Sequence, residues 1–170
     1  IGVTLYETVV SFLVVTIIAL LVSTLFWFSK RLAKILDPYL TVLNSLPKVA
    51  LGPLIIIWVG ASTNSIIFMA LLISLFLSII NVYHNFKETD SNYITLLRSL
   101  GASKMQIFMK AVIPSNLSNI INNLKINVSM CYIGVIMGEL LVSKKGLGYL
   151  IMYGTQVFNI DLVIASVIVL

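Results

Sequence analysis

The 170-residue sequence predicts an all-α fold, a polytopic bundle of transmembrane helices, and three observations carry that prediction. Hydrophobic residues make up 59% of the chain and charged residues 10%, against about 45–50% and about 25% in soluble globular domains. Mean hydropathy is +1.08, and so few charges could not coat a water-soluble surface on a chain this small. Apolar stretches of about 20 residues, enough to cross a bilayer core of about 30 Å, recur along the chain. Basic residues gather between them on one side. An ordinary cytosolic enzyme, a disulfide scaffold and a disordered chain are excluded. The lipid bilayer is the first partner implied.

Thr4–Phe28 is the first such stretch, with a single charge, Glu7, near its start. The chain opens Ile1-Gly2-Val3 with no Met and no basic segment ahead of the apolar run, so it does not read as a signal peptide. It is expected to be a fragment lacking its natural start, and Leu170, inside an apolar run, is expected to mark a truncated end. Asp37–Gly60 is long enough to span but holds Pro38, Pro47 and Pro53. Asp37-Pro38 reads as N-cap and first helical residue. Pro47 and Pro53 each remove a helix hydrogen bond, so this span is expected to be bent or broken. Irregular backbone at membrane depth persists only against protein or a water-lined path. Ser65–Tyr83 is apolar and uncharged, a second clear span.

His84–Leu117 is the only long polar stretch, and it holds two short helical patterns. In the first, Tyr93, Leu96, Leu97 and Leu100 fall at i, i+3, i+4 and i+7, one apolar stripe. Gly101 is placed to end that helix as its C′ residue. Ser103 can cap a second helix, Lys104–Ile113, which Pro114 is expected to stop. Asn119–Val142 is a further span, polar at first and apolar later, and Ile160–Leu170 begins another.

Net charge is +5, with a pI near 9.4. In a soluble chain that balance would raise nucleic-acid binding; here it follows the excess of basic residues on cytoplasmic loops, and no nucleic-acid partner is expected. Lys30, Arg31, Lys34, Lys48, Lys87, Arg98, Lys104, Lys110 and Lys125 fall on one side if the spans alternate, and only Lys144 and Lys145 on the other. This asymmetry puts His84–Leu117 in the cytoplasm, with the amino terminus, Gly60–Asn64 and Ser143–Asn159 outside.

No catalytic set is visible. His84 is the single histidine and has no patterned partner. Cys131 is the single cysteine, which excludes an internal disulfide and a multi-cysteine metal site. No GxxxxGK[ST] loop occurs, and Gly146-Leu147-Gly148 reads as a tight external turn. No cofactor or metal is expected. Glu139 lies in the last turns of a span, where a carboxylate is costly and faces protein or water, or else the outer interface. Asn119, Asn123 and Asn127 repeat every four residues, with Asn122 alongside. That stripe faces another helix, as packing glue, or a cavity. The cytoplasmic leucine stripe either folds back on its own helices or docks a soluble partner.

Leu96-Leu97-Arg98-Ser99-Leu100-Gly101-Ala102-Ser103, Gln106-Ile107-Phe108 and Val112-Ile113-Pro114 resemble the cytoplasmic EAA loop of ABC-importer permeases. That pattern is Glu-Ala-Ala, three residues, Gly, nine residues, Ile, one residue, Leu-Pro. Gly101 and Pro114 match at the right separation. Thr95, Leu96 and Leu97 stand in the place of Glu-Ala-Ala, and Ala111 and Ile113 in those of Ile and Leu. Leu46-Pro47, Ala50-Leu51, Pro53-Leu54, Trp58 and Gly60 resemble the third helix of nitrate/sulfonate/taurine-type permeases. Gly138-Glu139-Leu140-Leu141 and Gly146-Leu147-Gly148-Tyr149-Leu150-Ile151 resemble their fifth helix and outer loop.

The resemblance implies the transmembrane domain of a type I ABC importer, one permease domain over 1–170 with a coupling loop at 84–117. Such permeases have one more helix before Thr4. It implies a second permease subunit, a cytoplasmic ABC ATPase dimer and an external or periplasmic substrate-binding protein, in a bacterial cytoplasmic membrane. ATP hydrolysis would belong to the ATPase, and this chain would not be an enzyme. Tyr93, Leu96, Leu97, Arg98, Leu100, Gly101, Ala102, Ser103 and Pro114 would form the coupling segment. Pro47, Pro53, Asn119, Asn123, Asn127 and Glu139 are the path-lining candidates. The solute would be small and anionic or heterocyclic. An amino-acid or phosphonate permease shares the loop and stays open as an alternative. An ion-coupled transporter would want several intramembrane ionisable groups and inverted repeats, where only Glu139 stands out. A membrane-embedded enzyme or a purely structural subunit is the remaining rival, and co-purification of an ATPase would separate them all.

Overall fold

The computed structural model describes all 170 residues and contains helices and turns but no strand. In chain order these are α1 (Gly2–Phe28), α2 (Lys30–Ser45), a 3-10 turn at Lys48–Leu51, α3 (Gly52–Val59), α4 (Thr63–Lys87) and α5 (Ser91–Ser99). There follow α6 (Lys104–Ile107), a π turn at Phe108–Val112, α7 (Ile113–Ser115), α8 (Leu117–Val142), α9 (Leu147–Gln156) and α10 (Ile160–Val169). Three helices, α1, α4 and α8, are long and apolar enough to cross a membrane, and α2 with the segment Lys48–Val59 forms a fourth, broken element.

The three long helices pack along stripes of small residues. On α4, Ile66, Ala70, Ser74 and Ser78 recur every four residues and are buried. They meet Gly138, Gly134, Cys131 and Asn123 of α8. A Cβ on Gly134 would lie 2.5 Å from Ala70 Cα, so the two backbones touch there because nothing stands between them. With no hydrophobic drive between helices in lipid, such close approach and interhelical hydrogen bonds supply the attraction. Asn123 Nδ2 donates to Ser78 Oγ at 2.9 Å, and Cys131 Sγ to Ser74 Oγ at 3.4 Å. On α1, Thr4, Thr8, Ser11, Val15, Ala19, Ser23 and Phe26 make the buried stripe, and Ser23 Oγ donates to the Ile79 carbonyl at 3.0 Å. The opposite face carries Leu5, Val9, Leu13, Ile17, Leu21 and Leu25, every one more than half exposed. That face is made for an apolar surround.

Three helix boundaries depart from the sequence reading. α2 begins at Lys30, capped by Ser29, so Pro38 lies inside the helix and is not its first residue. Packing overrides the proline: Ala33 is buried with Phe26 and Ile79, and Leu40 packs on the same cluster, which fixes turns on both sides of Pro38. The break comes at Leu46-Pro47, where the two halves meet at 81°. Pro53 sits in the first turn of α3, where no helix hydrogen bond is lost. The second correction concerns Pro114, which does not stop a helix at Ile113. The chain widens into the π turn just ahead, which gives the ring room, and continues to Ser115. Ser115 Oγ donates to the Ala111 carbonyl at 2.7 Å, and Asn116 Nδ2 to that of Val112 at 2.9 Å. Third, Gly146-Leu147-Gly148 is not a free turn: Gly146 precedes α9, and Leu147 and Gly148 form its first turn.

Candidate functional site

Two regions gather the chemistry. The first is the segment between α4 and α8. Asp90 Oδ1 accepts the Asn92 N–H at 2.8 Å and caps α5. Gly101, at φ 78°, reverses the chain in the left-handed region that a Cβ disfavours. Ser103 and Gln106 form a reciprocal capping box for α6. The leucine stripe divides. Tyr93, Leu96 and Leu100 are 61%, 58% and 75% exposed. Leu97 is half-buried, as is Ile94 beside it. Ala102 is half-buried at the reversal, and Arg98, Ser103 and Pro114 are exposed.

An aromatic cluster holds this segment to the spans. The Phe108 ring in the π turn lies 5.0 Å from Trp27, 5.3 Å from Phe28 and 5.4 Å from Phe86. Thr89 and Asn116 close the base of the segment, Asn116 Nδ2 donating to Thr89 Oγ1 at 2.7 Å. The sequence reading passed over Phe108 as a contact. Its signal was an aromatic residue two positions after the Ser103–Gln106 capping box, in a chain whose first span ends Phe26-Trp27-Phe28.

The second region follows α8 and the broken element. Asn119 and Asn122 open with Asn81, His84 and Asn85 onto a groove of about 330 Å³ beside α4. Asn123 lines that groove and bonds to Ser78, whereas Asn127 is buried in the helix interface. The four-residue stripe therefore splits between a polar hollow and packing. Glu139 is buried, and its Oε2 accepts the Gly148 N–H at 2.7 Å. Its carboxyl faces that of Glu7, which is buried beside Thr63 and makes no well-formed hydrogen bond. Thr4 Oγ1 accepts the Leu147 N–H at 3.0 Å, so α1, α8 and α9 are tied at this end.

Lys48 departs from its expected place. It is not beside the turnaround at Lys30 and Arg31: Nζ donates to Asn44 Oδ1 at 2.7 Å and to the Ile73 carbonyl at 3.2 Å. Ile73 is near the middle of α4, roughly 15 Å from its start at 1.5 Å per residue. Without Lys48 the basic count is still eight against two, and this lysine, beside Pro47 at the break, lies against the middle of α4. Glu7 was likewise noted only as a span-end charge. Both could have been found by asking which partner pays for a lone charge in an apolar run.

The family model for binding-protein-dependent transport system inner membrane components matches residues 9–170. The chain belongs to that family. It is 32% identical over 133 residues to the formylaminopyrimidine transport permease protein ThiX of Halalkalibacterium halodurans, covering 78% of this chain and 53% of that protein. It is 29% identical over 167 residues to a putative aliphatic sulfonates transport permease protein, SsuC, of Bacillus subtilis, covering 98% of this chain and 60% of that one. The chain thus spans a little over half the length of these curated relatives. Among solved structures, the MetNI methionine ABC transporter in inward-facing conformations has a chain that superposes with a TM-score of 0.81 at 20% identity. That match covers 99% of this chain and 84% of the other, and it shows the fold of this inner membrane component. The family is one of membrane transport components rather than enzymes.

Proposed function

We propose that this chain is the membrane-spanning permease part of an ATP-driven importer, forming half of a gated path for a solute handed over by an external binding protein. The observation that carries the reading is α5. It is a short helix held outside the bundle, presenting Tyr93, Leu96 and Leu100 with no counterpart in this chain. Burying a leucine is worth roughly 1.5–3 kcal/mol, so a groove on a cytoplasmic ATPase would gain substantially by covering that face. Phe108, packed on the ends of α1 and α4, would carry a displacement of α5 into the spans.

The segment 84–117 then lies in the cytoplasm and Ser143–Asn159 outside, as the basic asymmetry favours. A second permease copy or homologue would complete the path. The broken element at Pro47 and Pro53, with Lys48 and Asn119, supplies its polar lining. Relatives named for sulfonates and for formylaminopyrimidine support a small anionic or heterocyclic solute.

Leu96→Asp tests the docking face. The variant is expected to insert and fold normally while the ATPase no longer co-purifies and solute-stimulated hydrolysis is lost. Leu97→Asp, on the inward face, is expected to lower thermal stability instead. A normal complex with normal hydrolysis in Leu96→Asp overturns the coupling assignment.

A further inference from the structure

We infer that the hollow where the ends of α1 and α4 meet α2, α5 and α6 binds the phosphate headgroup of an anionic phospholipid. The cavity encloses about 460 Å³. Lys30, Arg31, Lys87, Arg98 and Lys104 line it, with no aspartate or glutamate among the lining residues. None of these five side chains is paired: the one ion pair in the chain joins His84 to Asp37, and the one lysine whose side chain donates a hydrogen bond is Lys48. Like charges gathered around one hollow repel each other, and a bound anion reverses that cost. The 16-residue helix α2 also begins at this wall, through Ser29, Lys30 and Arg31. Ser29 accepts the Leu32 and Ala33 N–H groups, and those of Lys30 and Arg31, without a helical acceptor, add to the positive field.

The other wall separates a lipid from a free phosphate compound. Phe26, Trp27 and Phe28 come from the last turn of α1, and Tyr83 and Phe86 from the last turns of α4. Two spans end here in aromatic residues and cations follow at once, which is the sequence of environments at a bilayer interface. A cavity that is apolar along the spans and cationic beyond them fits an amphipathic ligand. Its phosphate would lie among the cations and its glycerol and upper acyl chain along the rings. Basic pockets between transmembrane helices take headgroups in this way. Because Arg98 and Ile94 come from α5 and Lys30 from α2, one headgroup would brace α5 against the bundle. The binding itself stands whether or not α5 docks an ATPase.

The test uses the full-length protein with its native partner subunits, reconstituted in nanodiscs containing phosphatidylglycerol and phosphatidylcholine. Lipid retained after transfer to detergent is read by native mass spectrometry. Wild type is expected to keep phosphatidylglycerol in preference to phosphatidylcholine. The Lys30→Gln/Arg31→Gln/Lys104→Gln variant should show about tenfold lower occupancy or less. Lys34→Gln/Lys110→Gln/Lys125→Gln, with the same charge change outside the cavity, should keep the lipid. Equal loss in both variants, or equal retention of the two lipids by wild type, overturns the inference. So does a wild-type complex that holds inorganic phosphate but no phosphatidylglycerol, which would give the cavity to a soluble phosphate compound. The wild-type comparison decides the matter even if the triple variant fails to assemble.

Discussion

Glu7 and Glu139 face each other, buried, with no cation beside them, in a region where an uncompensated charge is among the most expensive things a protein can hold. Glu139 also receives the Gly148 N–H. Glutamine keeps that acceptor and removes one of the two acids. Glu139→Gln is therefore expected to melt at the wild-type temperature or above it in detergent. Glu139→Ala orphans the Gly148 amide and should cost about 1–3 kcal/mol. If Gln and Ala destabilise alike, the charge itself, not the hydrogen bond, holds α8 to α9. Gly101 offers a second measurement. A Cβ there meets nothing within 4 Å, so any penalty comes from φ 78° alone. Gly101→Ala should cost roughly 1–2 kcal/mol, and Gly101→Asn less, since asparagine visits this conformation more readily. Equal stability of Gly101→Ala and wild type would show that the reversal relaxes to another backbone.

At the scale of elements, the α4–α8 seam is the most demanding contact. Gly134→Ala is expected to lower the folded fraction, and Gly134→Val to abolish it, because the obstruction is Ala70 backbone and not a side chain that can turn away. Limited proteolysis of membrane fractions would read both, with Gly2→Ala, in open space, as the control. Sequence reading found α1, α4 and α8 because their apolar runs are long and their composition tolerates no other solvent. It also found the cap at Ser103 and the reversal at Gly101, which are local chemistry. It misplaced the start of α2, since only the contact of Ala33 with Phe26 and Ile79 keeps Pro38 inside a helix. It could not divide Leu96 from Leu97, one residue apart on a stripe, without knowing which side the spans occupy. Lys48 was misread for the same reason: its depth is set by where the broken helix lies against Ile73.

For the whole molecule, orientation is the open quantity most cheaply measured. Single cysteines at Ser99 and Lys144, both exposed, in a Cys131→Ser background would be challenged with an impermeant thiol reagent from outside intact cells. The expected outcome is labelling at Lys144 and none at Ser99; the reverse would invert the topology. Cys131 is buried between α4 and α8, so its replacement removes background at little structural cost. The clasp between Thr89 and Asn116 reaches further. It fixes the two ends of the intervening chain side by side, so what lies between them is geometrically a cassette with a standard socket. Residues 90–106 could then be exchanged with those of a relative, provided that Thr89, Asn116 and the packing of Phe108 and Val112 on Phe86 and Val82 are kept. The exposed face of the cassette and the bundle that carries it, separate stretches of one gene, would be free to diverge at different rates.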